Sequence, residues 1–214
     1  VRTDAQANNT GIVIAAAFAQ GFLSMGFQLV GSRILAPYFG TTLIVWAFII
    51  STFLAAFSTG AMTGGALSRR SPEQIGRGML LVGLLGTLGF AMVALLGRPV
   101  IAAVDAAIPA TETALLIVCP ALFLAPVACL SAVLPVFTEV LVRRGGGGGA
   151  STGTIYGVST LGNISGVMVT TFLLIPHFPT STLLILWLVA GTACFWTFQR
   201  LVATGLGQRR AAVA

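Results

Sequence analysis

Six apolar stretches, near residues 11–32, 42–66, 76–97, 112–142, 153–175 and 181–203, take up most of this chain. A hydrocarbon core of about 30 Å is crossed by about 20 helical residues, so each stretch is long enough to span a bilayer. Only 7% of the 214 side chains are charged, against roughly 25% in a soluble domain, which leaves too little polar surface to cover a globule of this length. The sequence therefore predicts an all-α integral membrane protein with one six-helix domain over 11–203, flanked by polar segments at 1–10 and 204–214. The lipid bilayer is its first partner. The first apolar run follows ten polar-leaning residues and is too long for the core of a signal peptide, so it is expected to remain as a span. The fourth contains Pro120, Pro126 and Pro135, which predict a kink, with part of the segment lying along an interface.

The formal net charge is +6 and every basic residue is an arginine. These arginines stand singly or in pairs between apolar runs, without the aromatic interleaving of a nucleic-acid surface, so no nucleic-acid partner is expected. They report topology instead. One side of an even number of spans collects Arg2, Arg69, Arg70, Arg77, Arg143, Arg144, Arg200, Arg209 and Arg210; the other holds Arg98, with Arg33 near the boundary. The positive-inside rule then puts both termini in the cytoplasm and the domain in the cytoplasmic (inner) membrane. The run Gly145 to Gly149 reads as a flexible cytoplasmic connector, since no strand precedes it and no Gly-Lys-Ser follows.

Chemistry-bearing residues are few. Cys119, Cys129 and Cys194 lie inside apolar runs without ligand spacing, and His177 stands alone in a proline-flanked loop, so neither a metal nor a cofactor is expected. No carboxylate pair or nucleophile–base set occurs at a workable spacing, and catalysis is not expected. Among polar residues in or beside the spans, Gln20, Gln28, Arg33 and Asn163 stand out. Gln28, Arg33 and Asn163 are the candidate ligand contacts; for Arg33 the plain alternative is a guanidinium snorkelling to the headgroups. Glu139 is expected to form a structural ion pair, either with Arg143 one turn on or with Arg69, Arg70 or Arg77, the alternative being a proton relay. Gly60 with Gly64 and Gly162 with Gly166 have the four-residue spacing that lets helix backbones approach, for static packing or for sliding.

The block Gln28-Leu-Val-Gly-Ser-Arg-Ile-Leu-Ala-Pro-Tyr-Phe-Gly40, with Val45-Trp46 and Tyr156-Gly-Val-Ser-Thr-Leu-Gly-Asn-Ile-Ser-Gly166 running into Leu173-Leu174-Ile175-Pro176, resembles the membrane domain of the transmembrane spermidine synthase-like proteins. These are also described as fused major facilitator/spermidine synthases. The turn Gly64-Gly65-Ala-Leu-Ser-Arg-Arg70 is similar to the signature loop of major facilitator transporters, with Ser68 where an aspartate is usual. The resemblance implies a half-major-facilitator-like bundle and a transport or substrate-handling role beside a separate aminopropyltransferase-like protein. Family members often carry an acid where Gln28 stands, so binding of a polyamine cation is not implied. The soluble catalytic domain of the family has no counterpart in these residues, and the chain is expected not to be an enzyme. Half a transporter needs a second half, from a homo-oligomer or other membrane subunits. The alternative is a non-catalytic structural or anchoring subunit of a larger membrane complex.

Overall fold

The computed structural model of the chain describes the backbone of residues 2–143 and 145–207, with side chains over 10–143 and 145–203. Arg144, Arg209 and Arg210, the side chain of Arg2, and the end of the 204–214 segment lie outside the described residues. The fold is all-helical, with no strand among the described residues. Among the described residues, six helices are long and apolar enough to cross a membrane. We label them α1 (Arg2–Phe39), α2 (Leu43–Ser68), α3 (Pro72–Ala107), α4 (Thr111–Arg143), α5 (Gly148–His177) and α6 (Thr180–Gly207).

Local chemistry sets the ends. Helix α1 runs through Pro37 and stops at Gly40, whose φ of 73° is a left-handed conformation that side chains resist; its N–H bonds the Ala36 carbonyl at 3.0 Å. Helix α3 starts with a capping box between Ser71 and Gln74 and has Pro72 in its first turn. It passes Arg98 and Pro99, where the sequence reads as a stop, and ends at Ala107; the Pro99 ring faces the exposed side, where it displaces no neighbour. The glycine run is only partly a connector. Gly145, with φ of 98°, and Gly146 bond back to the Val142 and Leu141 carbonyls to close α4, and α5 already begins at Gly148.

Helix α4 does not lie along an interface. It is the most enclosed of the six, with 56% of its apolar window buried, followed by α1 at 50%; the other four lie between 22% and 33%. A π-helical turn over Pro120–Leu124 interrupts it at the first of its prolines, while Pro126 and Pro135 lie within the α-helical stretch that follows. A second such turn, Thr170–Leu174, interrupts α5.

The helices pack in a repeating order. The closest pairings are α1 with α5 and α2 with α4; a third joins α3 to α6, and α3 packs on α4 to a similar extent. Exchanging α1–α3 for α4–α6 maps the first pairing onto the second and the third onto itself. Three helices is an odd number, so the second half runs in the opposite sense to the first.

Both matching pairings use the glycines singled out in the sequence. A Cβ at Gly162 or Gly166 would strike the backbone carbonyls of Phe18 or Phe22, and one at Gly60 or Gly64 those of Ala128 or Ala132. All four glycines therefore face a neighbouring helix, where backbones touch. Between these seams the centre is filled by aromatic rings. Phe27 sits 4.8 Å from Phe90 and 5.8 Å from Phe123, Phe53 sits 6.0 Å from Phe123, and Phe90 leads through Phe195 and Phe198 to Phe137. One ring from each of α1 to α4 meets at the middle, all of them buried.

Candidate functional site

At the end of the bundle where α1 and α5 finish, the backbone leaves a problem. The last carbonyls of α5 have no helical N–H to accept, and the residue four beyond Ile175 is Pro179, which has none to give. Side chains and the turn supply the donors. Leu174 O accepts the Phe178 N–H at 3.0 Å, Leu173 O pairs with the His177 ring at 2.7 Å, and Ile175 O accepts Arg33 Nη1 from α1 at 2.8 Å. A cation at a helix C-terminus also meets the negative end of the dipole. His177 is thus a helix-end cap, and Arg33 ties the end of α1 to that of α5.

Only one donor of Arg33 is used in this way, and a guanidinium has five. The rest of the group borders a cleft of about 260 Å³ lined by Arg33, Ile34, Pro37, Tyr38, Arg98 and Thr180. Gly97 explains how Arg98 arrives there: a Cβ at that position would come within 2.9 Å of Ile34 Cδ1, so the missing side chain lets α3 close on α1. Arg98 is exposed, and neither an ion pair nor a hydrogen bond holds its side chain among the described residues. Thr180 opens α6, whose first helical hydrogen bond, Leu183 N–H to Pro179 O at 3.1 Å, leaves the N–H groups of the first turn facing outward. No carboxylate lines the cleft.

The other candidate contacts lie deeper. Gln28 is half-buried on α1, a little more than one turn below Arg33. Asn163 is half-buried on α5, with its backbone N–H against Gly21; the twelve residues from Gly21 to Arg33 put it about 18 Å down the axis from the cleft. Neither lines the cleft that holds Arg33. The polar group that the bundle does organise is Gln20. Its Oε1 accepts Ser159 Oγ at 2.8 Å, its Nε2 donates to Ser24 Oγ at 3.1 Å, and Ser24 Oγ donates to the Gln20 carbonyl at 2.9 Å. All three are buried at the α1–α5 seam, a closed set in which each side chain is occupied by another. Nearby, Trp187 Nε1 donates to Leu23 O at 3.0 Å, joining α6 to α1. Ser159 carries no spacing signal in the sequence; only the pairing of α1 with α5 shows that it faces Gln20.

At the opposite end, Glu139 pairs with Arg143 at 2.5 Å, one turn along the same helix. Arg69, Arg70 and Arg77 are exposed there. A second cleft of about 400 Å³ opens between α2 and α4 beside the Pro120 turn, lined by Phe48, Ser51, Thr52, Leu116, Pro120 and Leu124 among others; no charged side chain lines it. The three cysteines are free thiols, and no group of three His, Cys, Asp or Glu side chains could hold a metal among the described residues.

Arg98 with Arg33 is the pairing the sequence reading passed over. The signal was available: these are the two arginines left on the sparsely charged side. No family model matches the chain, and no curated protein or solved structure matches it either.

Proposed function

We propose that the chain is a non-catalytic structural or anchoring subunit of a larger membrane complex, held in the cytoplasmic membrane with both termini inside. One observation carries this reading. The centre of the bundle, where a transport path would run, is occupied by the buried rings of Phe27, Phe53, Phe90 and Phe123. A route for a polar solute needs side chains free to replace its hydration, and the buried polar set Gln20, Ser24 and Ser159 is already satisfied internally. The inside orientation rests on the arginine asymmetry, and membership of the spermidine synthase-like membrane family on the sequence blocks alone.

A transport or substrate-handling module beside an aminopropyltransferase-like protein remains the second reading. Arg33 and Arg98 in one cleft favour it at the surface, since they offer a place for a small solute to dock. The filled centre supplies no onward route.

Purification from native membranes in a mild detergent, followed by mass spectrometry, separates the two. The structural reading expects stoichiometric recovery with other membrane subunits. Recovery with a soluble aminopropyltransferase-like protein as the sole partner contradicts it in favour of the second.

A further inference from the structure

We propose that the cleft bordered by the last turns of α1, by Arg98 within α3 and by the start of α6 is a binding site for one phosphate group, and that Arg33, Arg98, Tyr38 and Thr180 hold it. The inference is independent of whether the chain has partner subunits.

The first argument is charge. Two guanidiniums line a space of about 260 Å³ with no carboxylate among the lining residues. Like charges brought to one cleft repel, and an anion between them turns the repulsion into two attractions. Arg98 has no partner of its own among the described side chains.

The second argument is geometry. Arg33 is not free to swing away, because its Nη1 is anchored on the Ile175 carbonyl at 2.8 Å. The anchor leaves the remaining N–H groups for a ligand and removes part of the ordering cost of binding. Tyr38 and Thr180 add hydroxyl donors whose hydrogen bonds no described side chain takes up. Thr180 also stands at the N-terminus of a 28-residue helix, so the positive end of that dipole faces the same space. Two guanidinium forks and two hydroxyls among the residues lining one cleft suit the several oxygens of a phosphate better than a single carboxylate.

The third argument is depth. Arg33 is 22 residues beyond Gly11, where the first apolar stretch begins, which is about 33 Å of helix and places the group at the headgroup level. Ile34 and Pro37 make one wall apolar, as the glycerol end of a lipid requires. Phosphate at this depth has two sources, an anionic phospholipid headgroup or a soluble phosphate, and the position favours the lipid.

Native mass spectrometry of the detergent-purified chain tests this. Wild type and the variants Arg98→Gln and Arg98→Lys are titrated with phosphatidylglycerol, and in a second series inorganic phosphate is added as competitor. Wild type is expected to retain one lipid, with Arg98→Gln weakened roughly tenfold or more by loss of a charge-assisted contact and Arg98→Lys weakened less. Arg98 makes no side-chain bond among the described residues, so the melting temperatures of the lipid-free variants should match wild type and any difference in binding is read at the site. Displacement by millimolar inorganic phosphate assigns the site to a soluble anion; retention of the lipid assigns it to the headgroup. Equal binding of phosphatidylglycerol by wild type and Arg98→Gln, with no phosphate effect on either, overturns the proposal.

Discussion

Arg33 on the first helix donates a hydrogen bond to the carbonyl oxygen of Ile175 on the fifth, across 2.8 Å and 142 residues of sequence. The bond completes a helix end that the neighbouring proline leaves open, and it makes one side chain both a strut and a border of the charged cleft. Arg33→Gln keeps a donor but loses the charge and reach, and should lower stability in detergent by about 1 kcal/mol, the exposed setting reducing the usual value of a charged hydrogen bond. Thermal unfolding followed by circular dichroism measures it. No change would show that Ile175 O is satisfied by solvent.

The α1–α5 seam should be intolerant of side chains where the backbones touch. Gly166→Leu forces its side chain into the Phe22 backbone, while Gly157 on the same helix has open space around its Cβ position. Gly166→Leu is expected to cost about 3 kcal/mol or to prevent folding, as overpacking without relief does. Gly157→Ala should be silent. Comparable yields and melting temperatures for the two would mean that the glycine face is not a contact.

Removing one member of the buried set isolates the value of the Gln20 contact. Ser159→Ala leaves Gln20 Oε1 without the donor it has at 2.8 Å. A double-mutant cycle with Gln20→Ala should return a coupling of about 0.6 kcal/mol, the average for hydrogen bonds between membrane helices, and no more than about 1.7 kcal/mol. A coupling near zero would separate the two residues energetically.

The ion pair at the other end is worth little by comparison. Glu139 and Arg143 are both partly exposed and sit on one helix turn, so Glu139→Gln should cost about 0.3–0.5 kcal/mol, and less in high salt. A loss several times larger would point to a pairing with Arg69, Arg70 or Arg77 that ties helices together.

Much of this architecture is legible in the residues. Apolar length gives the spans, and the glycine pairs at Gly60 and Gly162 mark the two helix faces that meet their neighbours. What the sequence withholds is register. Gln20 and Ser159 meet because Gly21 and Gly162 bring α1 and α5 together, and nothing local to either residue says so. Arg98 is hidden in another way: Arg98-Pro99 reads as the end of a span, whereas the helix carries on and Arg98 lines the same cleft as Arg33. The proline turn in α4 likewise suggests a segment at an interface, although α4 is the most enclosed of the spans, with Leu122 and Phe123 of that turn buried in the core.

Uptake into reconstituted vesicles tests the central claim, that a filled centre makes this bundle a structural element and not a conduit. Vesicles of stated lipid content holding the purified chain are given labelled spermidine and, separately, labelled organic anions. The account predicts uptake equal to that of protein-free vesicles for both. Saturable uptake of either solute, lost when Arg33 is replaced by alanine, would contradict it.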